Sequence, residues 1–253
     1  MNRVLTREKT LFSIAIIFAF GAAAFWLATS WQPLIDQHEF RQAQTAVTSL
    51  YLQPSIKGVF NYETPVLGSP WSIPFEFPLY QLLVYWTAQL LPLPLHSAGR
   101  LLSALLGLLC IFPAQGLMQL FRIKKSGQYC FFALYFSSSI YLYWNRTFMI
   151  ESTALFFTLS SLYLYTRIRL SSGQLRKSRG DSLASYSLFF IALLLGLLTK
   201  VTTILPAFML ITFDLLANTI VRLPLFGRSS ALSWRNIILC SICFVLSFII
   251  LKS

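Results

Sequence analysis

This sequence predicts an all-α fold, a polytopic transmembrane helical bundle of about seven spans, and three observations predict it. Of its 253 residues, 56% are hydrophobic and only 11% are charged. The apolar residues gather in runs close to the roughly 20 residues that cross a hydrocarbon core. The lysines and arginines gather in alternate loops between those runs, the pattern of a membrane protein whose cytoplasmic loops accumulate positive charge.

Leu11 to Trp31 is the first span and contains no charge. A short basic stretch precedes it and no small-residue cleavage site ends it, so it reads as an uncleaved anchor and not as a removable signal peptide. A long loop, 32–97, follows. Within it, 75–95 is long enough to cross, yet it carries Glu76, Pro78, Pro92, Pro94 and many aromatics, and it reads as an amphipathic helix lying in the interface. Further apolar runs fall at 99–121, 128–146, 152–167, 185–200, 202–219 and 236–251. The whole of 1–253 is predicted to be a single membrane domain.

Positive charge decides the topology. With 75–95 on the surface, one side collects Arg3, Arg7, Lys9, Arg122, Lys124, Lys125, Arg167, Arg169, Arg176, Lys177, Arg179, Arg222, Arg228 and Arg235. The other side keeps Arg41, Lys57, Arg100, Arg146 and Lys200, with Lys252 at the chain end. The first side is then cytoplasmic and includes the amino terminus. If 75–95 crossed, the three richest basic loops would face outward. The acids sort the same way: Asp36, Glu39, Glu63, Glu76 and Glu151 all fall on the outer side.

The formal net charge of +12 is mostly a cytoplasmic face meeting anionic lipid headgroups. No basic stripe on a soluble fold accompanies it, which excludes nucleic acid as a partner. Cys110, Cys130, Cys240 and Cys243 all lie in apolar runs. Cys240 and Cys243 have metal or redox spacing, but without a second pair they read as small lipophilic side chains. Asn145-Arg146-Thr147 matches a glycosylation sequon, although its place at a membrane boundary favours a role for the arginine at a site.

With this topology three separated features meet at one membrane surface. They are the first loop with Asp36 and Glu39, the turn Arg146 to Glu151, and Thr199-Lys200-Val201-Thr202. Carboxylates opposite a lysine and an arginine, with lipid on one side and water on the other, suit a phosphate-linked lipid substrate.

The order "HEFRQAQTA", "FEFPLYQLLVYW", "AGRLLSALLGL", "RTFMIESTALFF" and "LGLLTKVTTILPAF" resembles the GT-C type membrane glycosyltransferases of the protein O-mannosyltransferase and lipid A aminoarabinose transferase kind, glycosyltransferase family 39-like. The resemblance covers most of the chain. It implies transfer of a sugar from a polyprenyl-phosphate-linked donor to a lipid, glycan or protein acceptor on the outer face of a membrane, a bacterial inner membrane among those relatives. It also implies that an acid in the first outer loop serves the acceptor. Relatives show two adjacent acids followed by x-Arg-Tyr-Ala, which maps onto His38 to Ala43. Here the first acid is His38, so the base is either Glu39, which matches the motif, or Asp36, one helical turn earlier. Glu151 matches the family's second acidic site and Lys200 its phosphate-binding lysine.

Displacing phosphate from an anomeric carbon needs a base for the attacking hydroxyl and preplaced cations for the departing phosphate. Asp36 or Glu39 answers the first need, and Lys200 with Arg146 the second, with inversion at the anomeric carbon. Arg41 is a further candidate for binding the substrate phosphate, although it reads rather as a residue that pins the loop by pairing with Glu39 or Asp36. Glu151 offers oxygen to Mg or Mn as a further role, and no organic cofactor is implied. Ordinary structural roles compete with each: helix-start acids for Asp36, Glu39 and Glu151, a snorkelling cation for Lys200. Asp214 and His96 read as span-end residues with no site.

Two other functions compete. A transporter or flippase of lipid-linked glycans would also place charge at membrane depth, but it should show broken midplane helices and an internal repeat, and neither is evident. The chain also stops directly after an apolar run, at Lys252-Ser253, where relatives continue into further spans. A truncated, non-catalytic fragment holding the N-terminal half of such an enzyme is the second alternative.

Overall fold

The computed structural model describes residues 2–66, 68, 69, 71, 76–171 and 179–217, and these residues form eleven helices and no strand. The predicted span 236–251, with Cys240 and Cys243, lies outside the described residues, as do several of the basic residues that the topology argument uses.

The first helix, α1 (Asn2–Thr29), is the first predicted span and turns many large apolar side chains outward, including Phe20, Ile17 and Leu27. Two short helices follow it, α2 (Glu39–Tyr51) and α3 (Ile56–Phe60). Within the stretch predicted to lie in the interface, α4 (Leu79–Leu90) has 12 residues. At 1.5 Å per residue that is about 18 Å, well short of the ~30 Å hydrocarbon core.

A single apolar run then holds α5 (Leu95–Leu109) and α6 (Ile111–Leu120), which meet at Cys110. Pro113 sits in the first turn of α6, where a missing N–H removes no bond inside that helix but cannot continue the ladder from α5. The predicted span 128–146 divides further. It becomes α7 (Lys125–Ser137) and α8 (Ser139–Trp144), joined by an extended Ser138. Three consecutive serines, which compete for backbone hydrogen bonds, explain the break.

The remaining helices, α9 (Glu151–Ser171), α10 (Arg179–Thr199) and α11 (Val201–Leu216), cover the next three predicted spans. Among the described residues two stretches, Arg7–Thr29 and Leu95–Leu120, are long and apolar enough to cross a membrane. That is fewer than the seven predicted. Ala184–Thr199 and Val201–Leu216 are apolar but shorter, α7 is broken from α8, and α9 carries Arg167 and Arg169 near its end.

Helix α9 lies at the centre and packs against α5, α6, α10 and α11, while α1 packs against α7. A core of Tyr165, Phe189, Leu193, Leu197, Ile204 and Ile211 joins α9, α10 and α11. Two ion pairs tie α9 to the α11 segment at its two ends. At one end Lys200 Nζ meets Glu151 Oε1 at 2.6 Å; at the other Arg169 Nε meets Asp214 Oδ2 at 2.9 Å. Helix α11 therefore runs parallel to α9, and the chain reverses direction between α10 and α11 at the single extended residue Lys200.

Asp214, expected to be an unremarked span-end residue, is instead fully buried and also accepts a hydrogen bond from the Tyr165 hydroxyl at 2.5 Å. Arg169 is equally buried, and its two terminal nitrogens find no hydrogen-bond acceptor. Removing one partner of such a pair leaves an uncompensated buried charge. Asp214→Leu is expected to cost about 3–5 kcal/mol of stability. Replacing Arg169 by Leu as well should restore most of it in a chemical-denaturant titration.

Candidate active site

The end of the bundle that holds Lys200 is where the sequence-selected residues come together. The end of α1, the loop 30–38, the starts of α2, α5 and α9, the turn after α8 and the α10–α11 reversal all meet there. Asp36 is the hub. Its Oδ1 lies 3.3 Å from Arg100 Nη2, and its Oδ2 lies 3.1 Å from Arg146 Nη2.

Arg100 is completely buried on the first turns of α5, and a buried guanidinium must be paired and hydrogen-bonded. Besides Asp36 it donates to the carbonyls of Pro33, at 3.1 Å, and Thr29, at 3.5 Å. It thereby fastens the end of α1 and the first loop onto α5. The sequence reading counted this residue only as an outer-side charge.

Gln42 was not selected at all, and it holds the hub from the other side. It is fully buried, and its side-chain nitrogen donates to Asp36 Oδ1 at 2.5 Å and to the Gln37 carbonyl at 3.0 Å. Its Oε1 accepts from the Phe148 backbone N–H at 2.9 Å. The buried face of α2 consists of Gln42, Gln44, Thr45, Thr48 and Ser49, while Phe40, Leu50 and Tyr51 face outward. A signal was present in the sequence, since these polar residues recur at helical spacing, but it reads as a solvated face unless the outer medium is lipid.

The turn between α8 and α9 places Arg146 and Glu151. Phe148 is wholly buried edge-on to Tyr80, with ring centroids 5.7 Å apart, and rests against Gly99, where a Cβ would collide with the Phe148 ring. Asn145 accepts from the Ser152 hydroxyl at 2.8 Å and donates to the Tyr135 hydroxyl at 3.3 Å. Arg146 is held over the rings of Tyr143 and Phe25, at 5.5 and 5.8 Å from their centroids. Tyr143 donates to the Gln37 carbonyl at 2.5 Å, and the His38 ring packs against Tyr143 and Trp144. His38 takes the left-handed conformation, φ 60°, a strained choice for a non-glycine residue that turns the chain into α2.

Glu151 and Lys200 form the second part of the site. Their side chains are 17% and 32% exposed, so the pair borders the surface, and Glu151 Oε2 has no hydrogen-bond partner. The two parts are neighbours along the chain: Arg146, which meets Asp36, and Glu151, which meets Lys200, flank the same turn at the start of α9. Burial drives the Tyr80 hydroxyl well above the usual phenol range, with Glu151 adding to the rise and a Ser103 hydrogen bond and Arg100 opposing it. Tyr80 is therefore a fixed donor to the Gly99 carbonyl, at 2.8 Å, and not a base.

The structure thus brings Asp36, Arg146, Glu151 and Lys200 together and adds Arg100, Gln42 and Tyr143. Glu39 is the first residue of α2, exposed, with no ion pair among the described residues. Arg41 was expected to pair within its own loop; it reaches Glu76 at 3.2 Å and Gln44 at 3.0 Å, so it ties α2 to the segment before α4.

Among the described residues no three His, Cys, Asp or Glu side chains gather around one point. The Lys200 ammonium stands 2.6 Å from Glu151, where Mg or Mn would meet like charge. The residues as placed do not make a metal site. Chemically, the site offers cations held by displaceable carboxylates and two acids near the surface, a set that receives an anionic oxygen cluster and accepts a proton.

Comparison with protein-family models, curated proteins and solved structures gives no match.

Gln42→Leu leaves the Phe148 N–H without its partner inside the fold and takes one of two donors from Asp36 Oδ1. A loss of about 1–3 kcal/mol is expected for such an orphaned group, measurable as a lower denaturation midpoint. Gln42→Glu, which keeps the acceptor but adds a charge beside Asp36, should be at least as damaging.

Proposed function

We propose that this chain is a membrane glycosyltransferase. It moves a sugar from a polyprenyl-phosphate-linked donor to an acceptor hydroxyl at the outer face of a membrane, with inversion. The observation that carries the reading is the joining of Asp36, Arg146, Glu151 and Lys200 at one end of the bundle, from three separate parts of the chain. Such a set serves a reaction that separates charge at a lipid boundary.

The donor phosphate takes its place between Arg146 and Lys200, exchanging with their carboxylate partners Asp36 and Glu151. The acceptor oxygen attacks the anomeric carbon from the opposite side. Its proton passes to a carboxylate, Asp36 or Glu39, as the new C–O bond forms. The bond from that carbon to the phosphate oxygen breaks, and the electron pair leaves with polyprenyl phosphate. The developing charge is met by cations already in place, which is the costliest part of such a barrier to supply otherwise.

Arg100 does not touch the reacting atoms in this scheme. It positions Asp36, and through Asp36 it positions Arg146. The same scheme requires the amino terminus in the cytoplasm and the loop 32–97 outside, in a chain that passes the membrane several times. Positive charge in alternate loops supports that orientation.

Membranes containing the chain should transfer sugar from a polyprenyl-phosphate donor to a hydroxyl acceptor. Asp36→Asn or Glu39→Gln should abolish that transfer, and Lys200→Ala should slow it by about 10²–10³, the usual effect of removing one preplaced charge donor. Full activity in both acid variants would overturn the base assignment. Labelling of single cysteines checks the orientation: Glu63→Cys should react with an impermeant reagent added outside, and Ser126→Cys only after the membrane is opened.

A further inference from the structure

Beyond α2 the chain forms a polar cavity that the reaction scheme above does not use. Its volume is about 380 Å³, and its lining includes Tyr51, Gln53, Lys57, Asn61, Tyr62 and Glu63. That volume falls in the range of small-molecule sites, but the lining is the reverse of a drug-like or acyl pocket. Two amides supply donors and acceptors together, and two tyrosines, exposed Tyr51 and buried Tyr62, complete the wall. One ammonium and one carboxylate cancel in charge, so the cavity selects neither anions nor cations. An apolar guest would leave all of these groups unsatisfied.

A neutral molecule with many hydroxyls and flat C–H faces satisfies them. We infer that this cavity is a saccharide subsite.

Its placement supports the assignment. Lys57 on α3 and Asn61, the residue just after it, line the cavity, while Ile56 and Phe60 on α3 are 83% and 43% exposed. Leu50, at the end of α2, is likewise 66% exposed. A polar pocket with an apolar rim lies where headgroups lie. The cavity is also fixed to the candidate active site. Buried Tyr62 donates its hydroxyl to the Glu76 carbonyl, and the Glu76 side chain pairs with Arg41 on α2.

Helix α2 has 13 residues, which places Tyr51 about 18 Å from Glu39. That separation suits an acceptor of several sugar units, with its reacting hydroxyl near Asp36 and Glu39 and a distal unit in the cavity. This use of the subsite rests on the transfer reading above; the binding itself does not. The saccharide has two possible sources, a free oligosaccharide or the headgroup of a membrane glycolipid.

The test uses the full chain in nanodiscs of phosphatidylethanolamine and phosphatidylglycerol, which carry no sugar. In one arm maltotriose is titrated and followed by saturation-transfer NMR. In the other, digalactosyldiacylglycerol is built into the disc and the shift in melting temperature is read. A response in either arm that Tyr51→Ala and Asn61→Ala each weaken about tenfold or more, with unchanged melting of the free protein, supports the subsite and identifies the source. Both side chains are exposed, so neither substitution removes core packing.

No response in either arm, or a response that survives both substitutions, overturns the subsite. Asp36→Asn separates the two readings: saccharide binding retained in a chain that transfers no sugar supports the subsite, whatever becomes of the transferase reading. Transfer to a glycan acceptor that Tyr51→Ala and Asn61→Ala leave unchanged in KM refutes the acceptor's use of the subsite, while the two binding arms decide the subsite itself.

Discussion

A completely buried guanidinium is the constraint on which this end of the molecule is built. Arg100 enters from α5, and its charge must be answered inside the protein because neither lipid nor water reaches it. The answer comes from the loop after α1: the Asp36 carboxylate and the carbonyls of Pro33 and Thr29. That single requirement fixes where the first loop sits, and with it the approach of Arg146 to Asp36. Gln42 completes the arrangement by satisfying Asp36, Gln37 and Phe148 with one amide. The loop is therefore preorganised by groups that each meet more than one partner, Asp36 through Gln42, Arg100 and Arg146 and the Gln37 carbonyl through Gln42 and Tyr143.

A second pair of charges acts over the length of α9. Glu151 and Arg169 lie near its two ends, and both are met from the α11 segment, by Lys200 and Asp214. The two contacts differ in kind. The Arg169–Asp214 pair is sealed and reinforced by Tyr165, so it serves as a fixed strut. The Lys200–Glu151 pair is partly open, with an unpartnered carboxylate oxygen, so an anion can exchange for the carboxylate without unfolding anything. Stability is placed at one end of the helix pair and exchangeable charge at the other.

This division bears on how a phosphate-linked lipid would be handled. Arg146 and Lys200 each rest on a carboxylate in the free protein, which lowers the cost of keeping cations at a low-dielectric boundary. On the transfer reaction proposed above, incoming phosphate would replace one anion by another, so the cations would need no reorganisation at the moment of reaction. The aromatic rings of Tyr143 and Phe25 hold Arg146 in place during that exchange.

Composition and spacing by themselves determined that the chain is helical and apolar and where most helices begin. Those properties are local: a run of apolar side chains or a charge at the end of a run is visible in one dimension. The tertiary structure alone decided the rest. It broke the 128–146 run at Ser138, the extended middle residue of a serine triplet, a residue type that competes for backbone hydrogen bonds. It turned α2 polar side inward, which pattern alone assigns to solvent, because Gln42 is worth more satisfying a buried carboxylate than facing lipid. It also sent Arg41 to Glu76 and gave Asp214 to Arg169, 45 residues away. Which opposite charges meet depends on how helices from distant parts of the chain close around them, and no periodicity along the sequence records that closure.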